Sequence, residues 1–274
     1  MRRFDYLIFA LFLGLLSFAS LEAQAVENSL TGKACSLAKI LDPHLPCDKA
    51  AITSPETITD REALWSVIHT ICIPAAAIGF NYPCLRVDNK DGYVVIRTPD
   101  KEKIDFLIAP TRKMAGVESP DLLKGDAPNL WAAGWKERAL VAEVARKKLS
   151  WNDYALAVNS RQTRSQDQLH IHLGCVDRNL KRYFAVHKEY RPANNWVIIR
   201  LSNINSDLLM KALPADGLSQ NLFAKISSEA PWARLFIDKQ TVALIAIEDK
   251  SFKGFVLLVS LDRVSAESFL AKSC

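Results

Sequence analysis

Two histidines, His170 and His172, alternate within Gln168-Leu-His-Ile-His-Leu173. Read as a β-strand, a period of two puts Gln168, His170 and His172 on one face and Leu169, Ile171 and Leu173 on the other. Just upstream, Asn159-Ser160 is a turn signal, and Arg161, Arg164 and Ser165 bring guanidinium and hydroxyl donors. Side-by-side imidazoles next to such donors suit displacement at a phosphate ester. A neutral imidazole escapes the repulsion that phosphate oxygens exert on an anionic nucleophile, and its reference pKa of about 6.5 leaves much of it unprotonated at neutral pH. Attack on phosphorus would form a phosphoramidate and split one hard displacement into two easier ones. Arg161, Arg164, Ser165 and the N–H groups of their loop would stabilise the charge that builds on the phosphoryl oxygens. His172 would donate to a phosphate oxygen or protonate the leaving group. Asn159 would fix the loop or accept from the second ring nitrogen of the nucleophile. No metal or other cofactor is required.

The same residues have other readings. Histidines at i, i+2 are also a two-ligand arrangement for a metal, although a catalytic zinc site needs a third ligand. His44, His69 and His187 are scattered, with no spacing that nominates one. The pair could equally be a solvated strand face, and the arginines plain surface charges. Thr111 and Arg112 read as a polar strand end or as a substrate edge. Trp131 and Trp135, four apart, fit a core better than a lipid-docking stripe.

The surrounding pattern defines what must hold these residues. Residues 93–97 and 104–109 are β-rich runs separated by a charged turn, which is a hairpin signal. Ser119-Pro120 begins a short helix, and Asn129 caps a long one running to about Lys148. Residues 153–158 form the next strand, followed by the 159–165 loop and the histidine strand. Further apolar runs at 196–201, 242–247 and 255–259 suggest added antiparallel strands, and residues 58–70 read as a helix. No internal repeat is visible. The expected class is α+β, with strand, strand, helix, strand, strand at its centre.

The chain has 274 residues, 49% of them hydrophobic and 24% charged, enough to bury a full core and wrong for disorder. The net charge of +5 has no Lys/Arg block dense enough to argue for nucleic acid. Its sign is compatible with a phosphate-bearing substrate or an anionic membrane surface. Arg2-Arg3, an apolar run from Tyr6 to Leu21 and Ala23-Gln24-Ala25 have the form of an export signal. The run is at or below the ~17–25 residues that span a bilayer, so cleavage after Ala25 and retention as an anchor both stand. Six cysteines fit an oxidising compartment. Pairing in sequence order gives Cys35–Cys47, Cys72–Cys84 and Cys175–Cys274. The short loops contribute roughly 3 kcal/mol each and the long one nearer ~5 in the chain-entropy model.

Gly92-Tyr-Val-Val-Ile, Ala109-Pro-Thr-Arg-x3-Gly-x-Glu-Ser-Pro120 and Asn159-Ser-Arg-x2-Arg-x-Gln-x3-His-Ile-His-x2-Cys175 together resemble the bacterial CDP-diacylglycerol pyrophosphatases. More broadly they resemble the histidine-triad superfamily. The likeness covers residues 72–180 well, with Cys274 in the expected place, while the insert holding Cys35 and Cys47 is peculiar to this chain. It implies a histidine-triad-like antiparallel sheet with helices packed on it, an N-terminal disulfide-containing extension and extra C-terminal strands. The implied layout is a signal or anchor over 1–25 and one catalytic domain over 26–274. Within that domain lie a cysteine-containing segment (26–90), the core (91–176) and C-terminal strands and helices (177–274). The implied activity is hydrolysis of CDP-diacylglycerol to CMP and phosphatidate, at the periplasmic face of the inner membrane or in the periplasm. The middle histidine of the family's alternating motif attacks the α-phosphorus. Gln168 occupies the first position here, which makes His170 the nucleophile, and a register one step along would give the attack to His172. Asn159, Arg161, Arg164, Ser165 and Gln168 are the implied substrate- and phosphate-binding set. A metal-dependent hydrolase with His170 and His172 as ligands, and an exported lipid- or nucleotide-binding module without turnover, are the competing classes. Oligomeric state is left open.

Overall fold

A computed structural model describes residues 60–274, apart from 101, 189–194 and 202–203. The export signal, His44 and the Cys35–Cys47 pair lie outside the described residues. Residues 60–274 form one compact unit, so the second half of the cysteine-containing segment packs with the core.

The unit is built on a single antiparallel sheet of ten strands. These are β1 (Arg86–Asp88), β2 (Tyr93–Arg97), β3 (Asp105–Pro110), β4 (Tyr154–Val158), β5 (Ile171–Val176), β6 (Val197–Leu201), β7 (Ser206–Pro214), β8 (Thr241–Glu248), β9 (Lys253–Ser260) and β10 (Leu270–Ala271). Their order across the sheet is β1-β2-β3-β5-β4-β8-β9-β7-β6, with β10 pairing the end of β5. The central strands are near-continuous runs of β-branched and apolar residues, as burial on both faces demands. One face packs Tyr93, Phe106, Leu156, Leu173, Leu244 and Leu257 with Trp131, Val141 and Phe223. The other packs Ala155, Ala157, Ala243, Val256 and Leu258 with Leu180, Phe184 and Phe269.

The helices are α1 (Ala63–Val67), α2 (Ile73–Ala77), α3 (Leu130–Lys136), α4 (Ala139–Ala145), α5 (Arg178–Val186) and α6 (Leu222–Glu229). A π-helical turn, Ile68–Cys72, joins α1 to α2, so the helix expected to end at Thr70 continues to Ala77. Pro74 has no N–H to give the preceding turn, a usual cause of such widening. The single helix expected over 129–148 is divided. Asn129 caps α3 by accepting from the Ala132 N–H, as its position suggested. The helix breaks after Lys136 because the buried Glu137 carboxylate turns inward, accepting the Tyr93 hydroxyl at 2.7 Å and pairing with Arg86 at 2.8 Å. Then α4 ends on Arg146 in the left-handed conformation at φ 52°.

A topological repeat emerges that the sequence conceals. The hairpin β2–β3, helices α3–α4 and strands β4 and β5 recur as hairpin β6–β7, helix α6 and strands β8 and β9. The halves meet at the β4–β8 seam, where Ala157 faces Ala243. Across the next ladder Ala157 faces His172, and its counterpart Ala243 faces Leu258. The second half therefore keeps the scaffold but has leucine at the position of the imidazole.

Cys72–Cys84 and Cys175–Cys274 form as expected. Among the described residues no helix is long and apolar enough to cross a membrane.

Candidate active site

His172 lies within β5, and His170 just before its first ladder residue. The strand was expected from residue 168, but the Leu169 N–H leaves the sheet to donate to the Met114 carbonyl at 2.6 Å. Both imidazoles are about 95% buried, each with 5% exposure, and their ring centroids are 5.1 Å apart with planes at 65°.

Their surroundings differ in sign. His170 Nδ1 lies 2.7 Å from the Gln168 carbonyl oxygen. A carbonyl can only accept, so Nδ1 carries the proton and the lone pair sits on Nε2, which has no partner among the described residues. Burial, with the neighbouring His172 adding to it, lowers its pKa to about 4. His172 Nδ1 donates to Asp105 Oδ2 at 2.9 Å. Burial opposes protonation there as well, but the Asp105 carboxylate, with help from Glu267, outweighs it and raises the His172 pKa. Asp105 reaches this ring diagonally across the ladder, since its direct partner in β5 is Gly174. A side chain at 174 would strike the Ile104 carbonyl oxygen at 2.8 Å and push Asp105 away. His172 Nε2 stands 3.5 Å from Glu267 Oε1, beyond a good hydrogen bond, so this buried nitrogen is left without a hydrogen-bond partner among the described residues. Burial would raise the Glu267 pKa, but His172, Ser265 and Asn159 together hold it low.

The loop before the strand is built by its own hydrogen bonds. Ser160 takes the Arg164 N–H on its carbonyl at 3.0 Å, and its own N–H donates to Thr241 Oγ1 at 3.1 Å. Asn159 accepts from the Ala266 N–H at 2.9 Å and donates to Glu267 at 3.3 Å. It therefore fixes the carboxylate beside His172, and the proton on the His170 ring is set by Gln168, not by Asn159. Arg164 is buried and bound to Glu118 at 2.7 Å and Asp167 at 2.8 Å. Arg61, on the turn before α1, holds the other oxygen of Asp167 at 2.7 Å. Arg161 and Ser165 are exposed; the Arg161 backbone N–H donates to the Asp238 carbonyl at 2.9 Å, which leaves its guanidinium facing solvent. Gln168 is fully buried, and its amide is committed: Nε2 donates to the Pro110 and Arg112 carbonyls and Oε1 accepts from Met114 N–H. Arg112 pairs with Asp126 at 2.8 Å, away from the histidines.

A cavity of about 610 Å³ is lined by Arg61, Lys113, Arg161 and Arg164, with Glu62, Ala115, Glu118 and Asp167 between them. Arg164 also borders a narrow crevice with Gly116, Val158, Asn159, Gln168, Leu169 and His170. The cavity is thus lined by four cations and three carboxylates, with Lys113 also paired to Glu62 at 2.7 Å, and it shares Arg164 with the His170 crevice. Among the described residues no group of three His, Cys, Asp or Glu side chains is arranged to hold a metal. Of the other aromatic and imidazole groups, Trp131 is core, Trp135 packs on Trp151 and Phe255, His69 stacks on Trp65 and His187 on Tyr183.

An imidazole with its lone pair fixed on Nε2, beside a second imidazole of raised proton affinity, suits transfer of a phosphate-linked group. Residues 59–274 match the family model described as CDH, CDP-diacylglycerol pyrophosphatase. The chain belongs to that family. A CDP-diacylglycerol pyrophosphatase of Yersinia pestis is 29% identical over 222 residues, covering 79% of this chain and 85% of the relative. Proteins of the same name from Mycobacterium bovis and Mycobacterium tuberculosis are 34% identical over 117 residues, 42% of this chain and 45% of each relative. Asp105 and Glu267 are the acids packed beside the histidine pair that sequence reasoning missed. Asp105 left a trace, as an acid inside an otherwise apolar strand run. Glu267 left none, since it is brought in from the C-terminal segment by the Asn159 amide and the β10–β5 pairing.

Proposed function

We propose that the protein hydrolyses the phosphoanhydride of CDP-diacylglycerol to CMP and phosphatidate through a cytidylyl group carried on His170. Two imidazoles 5.1 Å apart, one with Nδ1 on a backbone carbonyl and the other with Nδ1 on a carboxylate, are the observation that carries this reading. His170 Nε2 attacks the α-phosphorus, the bond to the bridging oxygen breaks, and His172 passes a proton to the departing phosphatidate. The imidazole cation formed on His170 is relieved through its Nδ1–H bond to Gln168. Water then attacks the phosphoramidate, giving its proton back to His172, releases CMP and restores the free His170 ring. Arg161, Ser165 and Arg164 face the transferring phosphoryl group or the second phosphate, and Asn159 and Gln168 support the loop and strand that hold them.

The hairpin–helix–strand–strand order of each half supports a histidine-triad likeness for the fold. The N-terminal apolar run supports export, with the catalytic unit in the periplasm or held at the inner membrane. The test is mass spectrometry of protein quenched during turnover. A CMP adduct located by fragmentation on His170 is the expected result. An adduct on His172, or turnover with no adduct at any quench time, overturns the assignment.

A further inference from the structure

The stretch between the two cysteines of the Cys72–Cys84 bridge and the start of β1 has an unusual surface. Ile78 is 84% exposed, Phe80 59%, Tyr82 69% and Leu85 46%. Residues 78–85 contain no charged side chain, and the disulfide holds both ends of this loop to the body of the protein. Four large apolar groups in eight residues is a costly thing to present to water, and concentrated patches of this kind mark interaction sites.

The position of the loop names its partner. His172, Leu107 and Ile96 are direct register partners across β5, β3 and β2. The edge strand β1 comes next, and Leu85 precedes its first residue, with its N–H donating to the Val95 carbonyl. Three ladder spacings of ~4.8 Å put Leu85 about 14 Å from His172 along the sheet. In the substrate of the proposed reaction, only a phosphate and a glycerol separate the reacting phosphorus from two acyl chains that sit in a bilayer. An uncharged apolar loop at that distance is where the lipid surface must come when the diphosphate enters the site.

We propose that residues 78–85, the end of the Cys72–Cys84 loop and the residue that follows it, are a lipid-surface contact whose Ile78, Phe80, Tyr82 and Leu85 enter the outer layer of the membrane that carries the substrate. The proposal rests on the reading of the site as one for a lipid-linked nucleoside diphosphate. It is separate from any anchoring by the N-terminal segment.

The test uses the full chain with an environment-sensitive fluorophore on Ile78→Cys, and a control with the same label on Val186→Cys, which is 76% exposed on α5. Vesicles of phosphatidylcholine and phosphatidylglycerol, free of substrate, should shift the emission to the blue at 78 and not at 186. No shift at 78 while the protein floats with the vesicles overturns the proposal. So does a shift that follows protein concentration without vesicles, which would assign the loop to a second copy of the chain. In parallel, the double variant Phe80→Asp/Tyr82→Asp should lose at least tenfold in kcat/KM on vesicle-borne CDP-diacylglycerol and nothing on water-soluble CDP-glycerol. Equal loss on both substrates counts against the loop. If the unaltered protein turns over neither substrate, the proposed reaction fails while the fluorescence result still decides the contact.

Discussion

The Arg164 guanidinium lies against Gly116, so close that a methyl group on that glycine would fall 2.1 Å from Nη1 and 2.8 Å from Cζ. Arg164 cannot swing aside freely, because Glu118 and Asp167 grip it from two directions. Gly116→Ala should therefore move the cation that borders both the His170 crevice and the larger cavity. Displacement of this size by a group outside the chemistry costs roughly 10²-fold in kcat/KM. Steady-state kinetics with a thermal melt check it, since overpacking should cost only ~1–3 kcal/mol of stability.

His170→Asn should abolish adduct formation and lower kcat by at least ~10³-fold, because the amide has no lone-pair nitrogen to attack phosphorus. The fold should persist, since the replacement is polar and a little smaller. Near-UV circular dichroism beside single-turnover assays reads both halves of the statement. Full activity in this variant would sink the nucleophile assignment.

Rate should depend on pH through both rings, with opposite signs. His170 attacks when neutral, so the acid limb should fall only as pH drops through about 4. His172 acts when protonated, so the alkaline limb should lie above the ordinary imidazole range, its pKa being raised chiefly by the Asp105 carboxylate against the penalty of burial. Asp105→Asn removes that carboxylate and should shift the alkaline limb toward lower pH while leaving the acid limb in place. A profile of kcat/KM for both proteins decides it. An alkaline limb that does not move would remove Asp105 from the proton-donor arrangement.

Gln168→Leu should act on stability more than on chemistry. It strands the Met114 N–H and the Pro110 and Arg112 carbonyls in a fully buried place. Unsatisfied buried groups of this kind cost ~1–3 kcal/mol each. Denaturant unfolding should show the loss. A large fall in activity with unchanged stability would instead mean that the amide touches substrate.

Excess chelator should leave turnover intact, since a histidine nucleophile and a histidine acid complete the proposed steps without a metal. An assay before and after chelation, with zinc added back, measures this directly. Loss that zinc restores would favour the metal-ligand reading of His170 and His172.

Much of this arrangement is legible in the chain. Residues 93–97 and 104–109 form the expected hairpin because β-branched runs flank a charged turn, and the two described disulfides follow sequence order. The motif around 159–172 brings Asn159, Arg164 and His170 to one crevice. The failures have physical causes. The break at Glu137 comes from a tertiary partner, the Tyr93 hydroxyl, that helical periodicity cannot register. Strand β7 was not among the expected strands, because Ser206-Asp-Leu-Leu-Met-Lys alternates buried with exposed or half-buried positions and forms no continuous apolar run. Glu267 is 97 positions after His170 in the chain, and nothing local connects them. The repeat was invisible because most buried strand positions ask only for side-chain volume, and leucine at 258 fills the place that the imidazole fills at 172.

That repeat has a thermodynamic consequence. Had the two halves been separate chains, the β4–β8 seam would be an association equilibrium, loosened by dilution and sensitive to expression level. A covalent tether replaces bulk concentration with a fixed effective one. The ten-stranded sheet can then stay intact at the lowest protein levels, and the half with leucine in place of the imidazole serves as a wall along the seam of the other half.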